Sequence, residues 1–158
     1  MRGRKPRPIF LKLVVGTARK GRVNAAEPKP DLALPMPPAH LSDEAKVEWG
    51  RVSEDLYRLG ILTKIDRGPL AAYCQAYGRW VVAERVLVEM AKRDELTSGL
   101  MIRTLNGNAI QNPMVGVANK AMADMVRYGA EFGLTPSARS RVHAQSRDNT
   151  DPGAKYFT

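Results

Sequence analysis

Apolar residues recur at alternating four- and three-residue steps along Ala45, Trp49, Val52, Leu56 and Leu59. That spacing puts one hydrophobic stripe on an amphipathic helix. Ser42 stands ahead of the stripe as an N-cap residue, and Asp43 and Glu44 occupy the first turn, where the helix dipole favours carboxylates. Gly60 follows as a left-handed stop, with Ile61 placed for the accompanying hydrophobic contact. Thr63-Lys64-Ile65-Asp66 then reads as a capping box with Asp in place of Glu, which predicts a second helix to about Asp94. Gly68-Pro69 is expected to kink that helix or to split off its first turn. Leu70, Tyr73, Tyr77, Val81 and Val88 form one apolar face of it, and Val82, Val86 and Met90 form another. Two apolar faces need two partners, and a chain this short has few elements to supply both. The pattern points to self-association.

Between Leu100 and Gln111 the period changes, and Asn106-Gly107 at the centre predicts a β-hairpin around a type I′ turn; an irregular loop is the alternative. Asn112-Pro113 opens another helix, with proline at the first position, where its missing N–H costs nothing. Lys120, Asp124, Arg127 and Glu131 form its polar stripe. Ala118, Ala121, Met122, Met125, Val126 and Phe132 fill much of the rest, so most of this helix is expected to be buried. Gly133-Leu134 ends it. Thr135-Pro136 caps a short final helix carrying Arg139 and Arg141, and from Gln145 onward the chain is polar.

Residues 1–40 follow different rules. Seven of the 11 prolines fall there, which favours extended polyproline conformations over helix. The apolar run from Ile9 to Val15 is the one piece suited to docking, as a strand or a helical turn, on a neighbour. With 158 residues there is room for one domain and flexible ends: an arm and linker over 1–40, a helical oligomerisation core over 41–144, and a polar tail over 145–158. No run approaches the ~18 apolar residues of a membrane span, and Lys12 interrupts the only candidate for a secretory apolar region, so neither a span nor a secretory signal is expected. Cys74 is the single cysteine, which rules out an intramolecular disulfide and suits a reducing compartment. Beside Tyr73 and Tyr77 on a helix, it reads as a small core residue.

Charge separates the arm further from the core. Arg2, Arg4, Lys5, Arg7, Lys12, Arg19, Lys20 and Arg22 precede the first carboxylate, Glu27. The chain has 25 basic and 16 acidic side chains, so eight of its nine net charges lie in the first 26 residues. A tail of this kind binds polyanions by neutralising phosphates and releasing their counterions. Nucleic acid is the first candidate partner. Arg2-Gly3-Arg4 suits an A·T-rich minor groove, although Lys5 separates Arg4 from Pro6 and leaves the AT-hook core incomplete. A solubilising tail, or one that folds onto a neighbouring subunit, is the plainer reading. Phe10 is the arm's only aromatic residue, which disfavours single-strand stacking.

Signatures of catalysis are missing from the sequence. It has no Gly-x-x-x-x-Gly-Lys-Ser/Thr phosphate loop. His40 and His143 stand far apart with no second cysteine, which argues against a zinc site or a His-dependent nuclease. Asp43-Glu44 suits a helix start and Asp94-Glu95 a helix end, so neither pair suggests a two-metal cluster. The expectation is a protein with no enzymatic activity, cofactor or metal.

Several segments in order resemble the P27 family of phage terminase small subunits: Gly3-Arg4-Lys5-Pro6-Arg7-Pro8, Leu11-Lys12-Leu13, Glu27-Pro28-Lys29-Pro30, Leu41–Trp49, Leu59-Gly60-Ile61-Leu62-Thr63 with Asp66, the hairpin into Asn112-Pro113, and Glu131-Phe132-Gly133-Leu134-Thr135-Pro136-Ser137-Ala138-Arg139. The chain departs from the family where Gly16-Thr17-Ala18-Arg19-Lys20 replaces a Gly-Asn-Pro-Gly-Lys turn, and at Pro69, where a helix former is common. The resemblance implies a mainly α fold: a long helical hairpin, a small β-hairpin and a C-terminal helix behind a basic extended arm. It also implies a ring-forming oligomer of roughly eight to ten subunits closed by heterologous contacts. Such proteins act in the host cytoplasm on double-stranded viral DNA, and load or regulate the large terminase subunit, which supplies ATPase and nuclease. The arm's eight basic residues, with Arg139 and Arg141, are then the candidate DNA contacts.

Two other classes remain. A helix-turn-helix transcription regulator is offered by Leu56–Thr63 and the following helix, although Lys64-Ile65-Asp66-Arg67-Gly68-Pro69 is a poor base-reading surface. An architectural or RNA-binding protein with a basic arm is the third class.

Overall fold

The computed structural model of the chain describes residues 30–140 and residue 142. Its elements are α1 (Asp43–Arg58), a 3₁₀ turn (Lys64–Asp66), α2 (Arg67–Ala91), β1 (Met101–Arg103), β2 (Ala109–Gln111), α3 (Pro113–Glu131) and the short α4 (Pro136–Arg139). The fold is mainly helical, with three long helices and one small antiparallel hairpin.

Local sequence signals account for nearly every boundary. Ser42 Oγ accepts the amide hydrogen of Ala45 at 3.3 Å, and α1 stops where Gly60 takes φ +69°. There Ile61 N donates to Leu56 O and Gly60 N to Tyr57 O, both at 3.0 Å, the double bond of a Schellman stop. Asp66 closes the capping box by accepting from Thr63 N at 2.8 Å and Thr63 Oγ1 at 2.5 Å. The box opens a 3₁₀ turn, and α2 begins after it at Arg67. Pro69 therefore falls in the first turn of α2, where an α-helix has no use for its N–H. Asn112 Oδ1 caps α3 through Met114 N at 3.0 Å, with Pro113 at the first position. A second Schellman stop follows at Gly133, where Leu134 N donates to Gly129 O at 3.0 Å and Gly133 N to Ala130 O at 3.3 Å. Thr135 Oγ1 then caps α4 through Ala138 N.

The hairpin is present, but its turn differs from the expected type I′. Strand pairing runs Met101 to Gln111, Ile102 to Ile110 and Arg103 to Ala109. Thr104 N donates to Asn108 O and Gly107 N to Thr104 O, both at 2.9 Å, leaving a three-residue loop of Leu105, Asn106 and Gly107. Gly107 alone has positive φ, at +81°, whereas a type I′ turn needs it at both central residues.

α2 lies between α1 and α3 and packs on both. The core gathers Ala45, Trp49, Val52 and Leu56 of α1, Leu70, Tyr73 and Cys74 of α2, and Leu41, Leu62 and Phe132. Complete burial of a side chain such as Leu56, Leu62 or Leu70 contributes about 1.5–3 kcal/mol. α1 and α2 lie close at Gly78, where an added Cβ would be 2.6 Å from Ser42 Oγ.

Three further expectations differ in detail. Leu59 is 58% exposed, because the Schellman stop rotates the chain away from the stripe before that residue reaches the core. α2 ends at Ala91 rather than near Asp94, whose carboxylate instead accepts from Thr97 N, Thr97 Oγ1 and Gly99 N in a turn. In the single chain α3 is covered on one side only: Ala118, Ala121 and Gly129 are buried and Met122 and Met125 half-buried, while Val126 is 57% exposed.

Candidate nucleic-acid interface

The Pro-rich segment before α1 is held against the helices by backbone bonds. Leu32 bridges to Thr63, Ala33 N donates to Leu62 O at 3.3 Å, and Lys64 N donates to Asp31 O at 3.2 Å. Prolines cannot donate, but their carbonyls accept. Pro35 O takes the Trp49 indole N–H at 3.3 Å, and Met36 O takes Arg67 Nε at 2.9 Å. These bonds place Pro30 beside the start of α2, where the described part of the chain enters the fold.

Of the candidate DNA contacts, Arg2, Arg4, Lys5, Arg7, Lys12, Arg19, Lys20, Arg22 and Arg141 lie outside the described residues, as does the Ile9–Val15 run. Arg139 is described. It is exposed at the end of α4, and its Nε donates to Gly133 O at 3.3 Å. That bond stitches α4 to the stop of α3 through one guanidinium nitrogen. None of the hydrogen bonds among the described residues links Arg139 to the Asp31–Lys64 entry point. Lys64 and Arg67 flank that entry and are exposed; the sequence placed both in a poor base-reading surface and not among the candidate DNA contacts. Asp31 and Asp66 beside them keep the local balance near neutral.

One polar cluster gave no signal in the sequence. The Glu48 carboxylate, 2% exposed, receives Arg51 Nε at 2.8 Å, Arg51 Nη2 at 2.6 Å and the Tyr73 hydroxyl at 2.9 Å. Burial first, and then the bond to Glu48, raises the Tyr73 hydroxyl well above its ordinary value, while the same carboxylate raises the Arg51 guanidinium. A buried carboxylate with both oxygens engaged by a bidentate arginine is satisfied, so the cluster reads as a tie between α1 and α2. Cys74 is buried beside it, and burial pushes its thiol up to about 12. A thiol so held is not a nucleophile at neutral pH.

Among the described residues no group of three His, Cys, Asp or Glu side chains could hold a metal ion, and no helix is long and apolar enough to cross a membrane. Nor does the corner between α1 and α2 match a helix-turn-helix. Residues 59–66 separate the two helices, against the three or four residues usual for that motif.

Three long helices and one antiparallel hairpin define a small, mainly helical fold. The family model described as phage terminase, small subunit, matches residues 45–149, about two thirds of the chain, and the chain belongs to that family. The matched range contains the Glu131–Arg139 motif and begins after the Gly3–Pro8 motif. Comparison with curated proteins and with solved structures gave no match.

Proposed function

We propose that this terminase small subunit, of the P27 type, is a non-catalytic DNA-binding component of the packaging machinery. It engages double-stranded viral DNA through its basic arm. It also loads or regulates the large ATPase-nuclease subunit in the host cytoplasm. The observation that carries the reading is the run of eight basic and no acidic residues before Glu27, in a chain of this family. The chain assembles into a closed ring, in which the arms form a basic collar and weak single-arm contacts gain by multivalency.

Titration of duplex DNA with the full chain and with a variant lacking residues 1–26 tests the arm. If about five arm charges meet phosphates, log K falls against log salt with a slope near −4.5, and several engaged arms steepen it. The truncated chain keeps 17 basic and 16 acidic residues, so it should bind far more weakly and with a shallow slope. Equal affinities and equal slopes would mean that the arm is not the DNA-binding element.

A further inference from the structure

Burial is distributed unevenly along the helical hairpin. Over residues 84–117, which comprise the end of α2, the β-hairpin and the start of α3, only Gly99 and Asn112 are buried, and neither is a hydrophobic side chain. The same stretch carries eight of the fifteen exposed large hydrophobics among the described residues, including Val86, Leu100, Met101, Leu105 and Ile110. α1 does not cover it: the last tie from α1 reaches α2 at Arg85, which pairs with Glu44 at 3.0 Å. Leu87, Met90, Ile102, Met114 and Val115 are half-buried here, and a polar tie adds to their packing. Asn112 donates through Nδ2 to Gly99 O at 2.7 Å and through its backbone to Leu100 O at 2.8 Å. An isolated two-stranded hairpin is marginal in water, and among the described residues both strands pair only with each other.

We infer that this end, residues 84–117, is the subunit-subunit contact, covered by a second copy of the chain and stabilised further on assembly. The inference rests on the self-association proposed above and names the surface responsible. Two observations favour a second copy as occupant. The end spans 34 residues, comparable with the ~20–30 residues a side of a standard interface. Arg103 is the only charged side chain from Leu96 to Gln111, and loss of charge marks the buried centre of such contacts.

The test uses the full chain with Leu105→Glu and Ile110→Glu together, and with Val47→Glu as control. Leu105 is fully exposed in the single chain, Ile110 is 42% exposed and Val47 is 75% exposed on α1, so none of the changes removes a buried contact. Native mass spectrometry across a concentration series should show the double variant dissociating at concentrations at least about tenfold higher than the parent, and the control unchanged. Hydrogen exchange of the unaltered chain should show residues 84–117 protected when assembled and open on dilution, while 45–74 stay protected. A double variant that assembles like the parent, or an 84–117 region equally protected in the monomer, overturns the inference and leaves self-association standing. An unaltered chain that stays monomeric to near-millimolar concentration overturns both. Protection of 84–117 that arises only on adding the large subunit assigns the surface to that partner instead.

Discussion

Cys74 and Tyr73 are adjacent on α2 under the cover of α1, and each holds its proton more tightly than it would in water. The thiol rises from an ordinary 9.0 to about 12, chiefly through burial and then through the Glu48 carboxylate. An acid raised in this way keeps its proton in the fold while the unfolded chain loses it. Its contribution is therefore intact below pH 9 and is lost as pH rises toward 12, at about 1.4 kcal/mol per pH unit. Tyr73 adds the same sign of dependence above its ordinary 10.0. Urea titrations from pH 8 to 11 should show stability beginning to fall near pH 9, and Cys74→Ala should delay that onset to near pH 10. The onset is the readout, because alanine also lowers stability at every pH by leaving a cavity. An unchanged onset would mean that another group controls the alkaline limb. Cys74 was legible as core in the sequence and Tyr73 as part of an apolar face, but their acidic neighbour was not. Glu48 falls between stripe residues of α1, and the tyrosine that answers it lies 25 positions away.

At the scale of elements, two glycines on neighbouring helices test the packing by contrast. Gly50, exposed in α1, has nothing within 4 Å of an added Cβ. Gly50→Ala should raise stability by ~0.5–1 kcal/mol by reducing the freedom of the unfolded chain. A Cβ added at Gly78 would lie 2.6 Å from Ser42 Oγ and 3.2 Å from Ala45 Cβ. Alanine there displaces the cap of α1 as well as crowding the crossing, and should cost about 1–3 kcal/mol. Thermal melts of both variants settle the matter, and shifts of the same sign would sink the close-packing account. Caps and stops were readable because they involve residues three to five apart. The turn of the hairpin was not, because strand pairing decides which loop residues must take positive φ, and Asn106-Gly107 is compatible with more than one answer.

For the whole molecule, Arg139 and Arg141 raise the question of a second binding surface. Arg139 stitches α4 to the end of α3 through one nitrogen only. Changing both arginines to alanine should leave assembly intact and weaken binding of DNA or of the large subunit several-fold, read by titration of each partner. Unchanged binding of both would reduce Arg139 to a helix-end charge that complements the dipole.

The amino-acid order alone determined the helices, their caps and stops, and the separation of a basic arm from a nearly neutral remainder, because periodicity, capping and charge all act over short stretches of chain. The family motif at Glu131–Arg139 was legible for the same reason. The tertiary structure decided which apolar residues have partners. Both faces of α2 and most of α3 looked equally suited to burial, yet the single fold covers Leu70, Tyr73 and Cys74 and leaves Val86, Val126 and the hairpin open. Hydrophobic periodicity records that a side chain is to be covered; only the path of the other helices determines whether the same chain does the covering.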